Sequence, residues 1–307
     1  MRGRTPSRLV AFFAALAACL TLGACGGGGS TVSTKLVSDA VSTTSNGGAF
    51  RIAISGSFRI PQLNRPIPLN GSGIVDPRTR SGKVTVDMSS LSGLLGGQLG
   101  QTAGGALKID EVFAQHVIYM KAPFYARFLP KGKSWLRLDI QQFGRKFGIN
   151  VDQLTQFSGG DPRQTLDQLR AVSGDVKKVG SGTVRGVPTT HYRATVDLNR
   201  YPKRLPAAQR ASAEQSVKRL IQLTHISKIP EDLWIDSQKR VRRIRLVYSF
   251  QPANASKGQK VSFDETLDLY DFGVRESIAA PPASQTVDFT SLLSQLSQGR
   301  GLGRTGP

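Results

Sequence analysis

Two of the 307 residues are cysteines, at positions 19 and 25, and both precede any segment with the pattern of a folded domain. The body of the chain therefore has no thiol for a disulfide framework, a cysteine-ligated metal or a cysteine nucleophile. Histidines stand at 116, 191 and 225, too far apart to read as a metal-ligand spacing. Gly180-Ser181-Gly182 lacks the spaced glycines of a nucleophile elbow. Gly93-x-x-Gly96-Gly97 has neither the lysine nor the strand–helix context of a phosphate cradle. Carboxylates are adjacent at Glu231-Asp232 and Asp264-Glu265. Neighbours on a strand point to opposite faces, so neither pair can act together on one substrate. Asp264, Glu265 and Asp268 are instead expected to pair with Arg243 and Arg245 on a neighbouring strand. No catalytic residue, metal site or cofactor is expected.

The one residue with a chemical assignment is Cys25. Met1–Arg8 is short and basic, and Leu9–Leu22 is an uncharged apolar run of about 14 residues, short of the roughly 20 a membrane span needs. This is the pattern of a secretory signal peptide over residues 1–24. Leu22-Gly23-Ala24-Cys25 resembles the bacterial lipobox, where the cysteine thiol is diacylated and the chain is cut before it. Leu16-Ala17-Ala18-Cys19 has a similar look, but cleavage there would leave a core too short and no tether after it. Gly26–Gly29 and Ser30 complete a flexible leash, so residues 25–30 read as a lipidated tether. Two or more acyl chains anchor stably where one does not. Everything beyond Cys25 is expected outside the cytoplasmic membrane.

The elements that follow form one folded unit, residues 31–290, with a flexible tail at 291–307. Val32, Leu36, Val37, Ala40 and Val41 share a helix face that stops at Asn46-Gly47-Gly48. Phe50, Ile52, Ile54, Phe58 and Ile60 then alternate with small and polar residues, the period of a long half-buried strand. Further strands are predicted at Ile67–Val75, Lys83–Met88, Leu107–Phe113, His116–Lys121, Ser134–Leu138, Asp175–Val179, Gly182–Val184, Thr190–Leu198, Glu231–Asp236, Arg240–Phe250 and Gln259–Phe272. Helices are predicted at Ile140–Phe147, Pro162–Val172 and Ala207–Leu223. The fold class is α+β, with a large curved antiparallel sheet of about 10–11 strands.

In Arg240–Phe250 the residues Ile244, Leu246, Tyr248 and Phe250 share one face, and a sheet with one apolar face must cover it. Helices at Val32–Val41, Leu91–Leu99 and Val217–Ile221 are the available covers. Ser89–Gly105 carries Leu91, Leu94, Leu95 and Leu99 among six glycines, each costing a helix about 1 kcal/mol, so this cover is expected to move. The covered face is either a filled core or an incompletely filled concavity that admits a lipid.

Three stretches resemble the actinobacterial cell-envelope lipoproteins of the LppX/LprG type, relatives in fold of the Lol carriers. They are Gly186-Val187-Pro188-Thr189-Thr190-His191-Tyr192-Arg193-Ala194-Thr195-Val196-Asp197, Trp234-Ile235-Asp236-Ser237-Gln238-Lys239-Arg240-Val241-Arg242-Arg243 and Pro281-Pro282-Ala283-Ser284-Gln285-Thr286-Val287-Asp288-Phe289. The resemblance implies an antiparallel half-barrel whose helices close the concave side over acyl chains or a glycolipid, with no catalytic residues. It makes Ile52, Ile54, Phe58, Val84, Val86, Leu91, Leu95, Val196, Ile244, Leu246 and Tyr248 the expected cavity lining. The chain departs from the family in its Gly-rich segment and its basic balance.

Residues 1–24 hold three of the 41 Lys+Arg and none of the 21 acids, so the chain from Cys25 keeps a net charge of +17. With no basic helix interleaved with aromatics, nucleic acid is not an expected partner. An anionic membrane or cell-wall surface is, at about 1 kcal/mol per nearby basic residue. The expected protein is a monomeric, membrane-anchored, extracytoplasmic binder or shuttle of lipid. The alternatives are a structural or signalling lipoprotein with a filled core, or an extracytoplasmic hydrolase of unrecognised type. Cys25→Ala should abolish the acyl mass on the mature protein by intact-mass spectrometry. Acylation that persists would move the anchor to Cys19.

Overall fold

A computed structural model describes residues 31–61, 63, 65–91, 107–123, 125, 129–147, 176–204, 207–251 and 258–292. The signal peptide, Cys25, the tether, Leu95, most of the Gly-rich segment and the helix expected at Pro162–Val172 lie outside them, as does the side chain of Leu91.

The first element, β1 (Thr31–Val32), is two residues long, so Val32 belongs to a strand and not to the helix face. Helix α1 (Thr34–Asn46) follows, started by Ser33, whose hydroxyl accepts from the Lys35 N–H at 3.2 Å. Lys35 and Asp39 pair one turn apart, and the chain leaves the helix through Gly48 at φ +92. Six strands come next: β2 (Phe50–Arg59), β3 (Ile67–Asp76), β4 (Ser81–Asp87), β5 (Lys108–Ala114), β6 (Val117–Lys121) and β7 (Trp135–Asp139), then α2 (Ile140–Phe147). The second run is β8 (Val176–Val184), β9 (Val187–Asp197), α3 (Ala207–Thr224), β10 (Lys228–Asp236), β11 (Val241–Phe250) and β12 (Val261–Tyr270), with β13 (Thr286–Asp288) last.

The thirteen strands of the described residues form one open sheet in the order β1-β8-β9-β10-β11-β12-β2-β3-β4-β5-β6-β7-β13. Every pairing is antiparallel except β7 with β13. Each run is a meander, and β12 closes back on β2 to join them. The two strands in excess of the expected ten or eleven include the edges β1 and β13, which are too short to show a period of two. One strand, β8, replaces two expected ones. A register shift after Lys178 carries it through Gly180 without a turn.

One apolar cluster runs from Val176 on β8 through Ala194, Leu233, Ile244, Leu269 and Ile52 to Phe113 on β5, so the sheet curls around it as a half-barrel. Val37 and Val41 of α1 are completely buried in this cluster, each contributing about 1.5–3 kcal/mol. Val217 of α3 joins it, with Leu220 and Ile221 packed alongside. A second small cluster gathers Leu129, Leu136 and Leu292 with Val287 and Phe289 under β13. Leu292 thus extends the packed domain beyond the expected boundary at 290.

Curvature needs close backbone approach, and Gly73 and Gly56 supply it. A Cβ on Gly73 would lie 2.3 Å from the Lys83 carbonyl oxygen, and one on Gly56 would lie 2.2 Å from that of Asp264. Helix and sheet are tied at one buried point. The Thr44 hydroxyl donates to the Ala40 carbonyl at 2.7 Å and accepts from the Val241 N–H at 2.9 Å. Thr44→Val keeps the shape and strands that N–H, so urea unfolding should show a loss of about 1–3 kcal/mol with an unchanged slope. No loss would mean α1 is held by packing alone.

Candidate functional site

Strand pairing places the inward side chains in rows across the sheet. One row holds Leu269, Ile52, Gly73 and Val84, and the next Leu233, Ile244, Leu267, Ile54, Gly71 and Val86. A third holds Ala194, Glu231, Leu246, Glu265, Gly56 and Leu69, and a fourth Val196, Ile229, Tyr248, Phe263, Phe58 and Ile67. Nine of the eleven expected lining residues are in these rows, and all nine share the inner face; Leu91 and Leu95 cannot be placed.

The face is not uniform. Beneath α1 it is sealed: Phe50, Ile52, Leu233, Ile244 and Leu269 are completely buried, and Val84 nearly so. Toward the other end Ile54, Phe58, Val86, Leu246 and Tyr248 are only half-buried. Phe263 stacks with Phe58 at 6.1 Å, with Tyr248 at 5.1 Å and with Phe250 at 6.3 Å between ring centroids. Gly56 and Gly71 add no side chains to this wall and pack closely against the backbones of Asp264 and Thr85, so this end has half-buried aliphatic walls with an aromatic border.

The outer face is sorted the opposite way. Asp232 accepts from Arg193 at 2.9 and 3.2 Å and pairs with His191 at 2.9 Å. Asp264 accepts two hydrogen bonds from Arg245 at 2.8 and 3.0 Å, which hold its carboxyl below the usual range. Arg243 and Arg185 converge on Asp268, and Arg242 on Asp236. His191 stacks flat on Trp234 at 4.2 Å. The expected pairings of Asp264 and Asp268 with Arg245 and Arg243 hold. Glu265 is the exception: strand alternation turns it inward, away from both arginines.

Glu265 therefore sits on the inner face, where burial pushes its carboxyl up. Glu231 is in the same row on the far side of Leu246, only 2% exposed. Its Oε2 has no hydrogen-bond partner among the described residues, and burial pushes this carboxyl up to about 8. Burial, with the charge of Glu265, also raises the Tyr248 phenol. Neither adjacent pair shares a face, but one acid of each pair shares a row with one of the other. One member of each pair faces inward, in phase with Leu233 and Ile235 or with Phe263 and Leu267. That phase was readable; the two-strand spacing between the acids was not. Among the described residues no three His, Cys, Asp or Glu side chains lie together as metal ligands, and no helix is long and apolar enough to cross a membrane.

No family profile matches the chain. It is 31% identical over 219 residues to an uncharacterized 31.2 kDa protein from the rplA–rplJ intergenic region of Streptomyces griseus, covering 70% of this chain and 67% of that one. The chain belongs to the family of that Streptomyces protein. A candidate lipoprotein of Streptomyces coelicolor is 25% identical across 96% of this chain and 99% of its own length. Among solved structures, LprF from Mycobacterium bovis is 12% identical with a TM-score of 0.41, matching 81% of this chain and 97% of its own. LppX, a lipoprotein of Mycobacterium tuberculosis, is 11% identical with a TM-score of 0.40, matching 80% and 100%.

The buried acid gives the fold a pH signature. Glu231 has a folded value near 8 against an ordinary 4.5. Its contribution is fully present below 4.5 and is lost as pH rises through about 8, at up to about 1.4 kcal/mol per unit. Urea unfolding across that window should show the wild type losing stability relative to Glu231→Gln as pH rises. A pH-independent difference would mean Glu231 keeps a charged partner.

Proposed function

We propose that the protein is a non-enzymatic carrier that holds an acyl-chain lipid or glycolipid against the half-open end of its inner sheet face. It would stay at the extracytoplasmic membrane surface through an acylated Cys25. The observation that carries this reading is the division of one apolar face. Its α1 end is sealed by its own helix, while Ile54, Phe58, Val86, Leu246 and Tyr248 at the other end remain half-buried. A protein that only needed a core would fill that end with its own side chains, since unfilled apolar surface forfeits about 25 cal/mol per Å². An acyl chain laid in the trough recovers that term. Binding of this kind requires shape and apolar area, with few polar contacts, which agrees with the lack of any catalytic constellation in the sequence.

The lipoprotein name of the full-length Streptomyces coelicolor relative supports the anchor, as does the Leu22-Gly23-Ala24-Cys25 motif. The net charge of +17 beyond Cys25 would hold the tethered domain against an anionic surface.

Protein purified under gentle conditions should release an acyl lipid on solvent extraction, identified by mass spectrometry. Leu246→Lys, which puts a charge into the trough wall at a half-buried position, should reduce the extracted lipid several-fold while leaving the circular dichroism spectrum unchanged. Wild-type protein that extracts clean would support the filled-core alternative.

A further inference from the structure

The inward positions of β2, β3, β4 and β9 to β12 carry aliphatic, aromatic and small residues with two exceptions, Glu231 and Glu265. Along β9 they are Thr190, Tyr192, Ala194 and Val196; along β11 they are Ile244, Leu246, Tyr248 and Phe250. None of these inward positions holds Lys, Arg or His, in a chain with 41 Lys and Arg. Cations are abundant on the other side of the same strands, where Arg193, Arg243 and Arg245 each take an aspartate. A buried carboxyl with a structural role is paired with such a cation or with backbone N–H groups. Glu231 has neither at Oε2, although it is only 2% exposed.

The two acids are in register across β11, with Leu246 between them, so their backbones stand about 10 Å apart at the spacing of two strands. Glutamate side chains reaching toward each other can close most of that gap. Opposite Glu265 on β2 is Gly56, which adds no side chain beside the carboxyl and packs its backbone against β12. The neighbouring apolar wall is the half-buried set Ile54, Val86 and Leu246.

We propose that Glu231 and Glu265 form the head-group subsite of the lipid trough and that they select an amphiphile bearing an aliphatic ammonium. This rests on the lipid-carrier reading above and names the class of ligand. An ammonium has three donors, no acceptor and a positive charge, which is what two acids in a cation-free wall lack. A hydroxyl head would be served equally well by Gln or Ser at these positions. The alkyl chain lies over Ile54, Val86 and Leu246 while the nitrogen sits between the carboxyls. Charge-assisted hydrogen bonds of this kind are about twice as strong as neutral ones, and stronger still out of water.

The test compares two probes with the same chain, dodecylamine and dodecanol, titrated into delipidated full-length protein at neutral pH below their micelle thresholds. Dodecylamine should bind about tenfold more tightly or better. Glu231→Gln and Glu265→Gln should each narrow that ratio, and the double variant should bring it near one through loss of dodecylamine affinity. Equal affinities in the wild type, with dodecanol still bound, would overturn the ammonium subsite and leave the carrier reading standing. Failure of both probes to bind would remove the carrier reading and this one with it. A wild-type measurement guards against variants that do not fold. The infrared carbonyl band of protonated buried carboxyls should disappear on adding dodecylamine and persist with dodecanol. A band unmoved by the amine overturns the proposal.

Discussion

The need to cover a single apolar sheet face governs the rest of this structure. Thirteen strands in one open layer expose one side to the other elements and one to water, and the apolar side cannot be left bare. The chain answers with α1, placed ahead of the first long strand, and with α3, inserted between β9 and β10. Both lie on the same side, and one continuous cluster joins their buried faces to strands from both meanders. The closure of β12 on β2 makes that continuity possible, because it joins the two meanders into one curved wall.

Charge follows from the same constraint. A strand gives each residue one of two environments, so the polar residues of β9 to β12 fall on the outer face and find each other there. Apart from the buried Arg242–Asp236 pair, these pairs are partly exposed, as at Arg245 and Asp264. Pairs of that kind are worth about 1 kcal/mol or less each. Their consequence is more one of placement than of stability: they hold Arg193, Arg243 and Arg245 on the outer face. The two carboxyls that turn inward have no counter-charge in their rows among the described residues, and low dielectric then favours their neutral form.

Function, on this reading, comes from where the covering stops. Under α1 the rows of side chains are completed by helix residues, and the interior is closed. Beyond it the glycines at 56 and 71 bring the strands close without adding side chains, the aliphatic residues stay half-buried, and a border of four aromatic rings marks the end of the sheet. The sealed end supplies stability, so under the proposed carrier role the other end would be available for exchange of a guest molecule. A tether of glycines and an acylated cysteine would then confine the carrier to the surface where its guest resides.

Much of this was legible in the residues alone. Period-two alternation located eleven of the strands to within a few residues, because a half-buried strand must alternate. Asn46, Gly47 and Gly48 marked the end of α1, because a helix terminus needs a cap; its start at Ser33 was masked by Val32, whose spacing continues the apolar face. The inner face of β2, β4, β9 and β11 was also readable, which is why Ile54, Val86, Leu246 and Tyr248 could be named from the sequence. The edges β1 and β13 were not, because strands of two or three residues exist only by pairing with a neighbour. Nor could the sequence divide the face into sealed and half-open regions, since Ile52 and Ile54 have the same side chain and differ only in what lies above them. Sequence determined which side of the sheet Glu231 and Glu265 face; tertiary structure alone decided that they share one row with no cation beside them. Strand phase is a local property of the backbone, whereas register across three strands is set by the packing of the whole sheet.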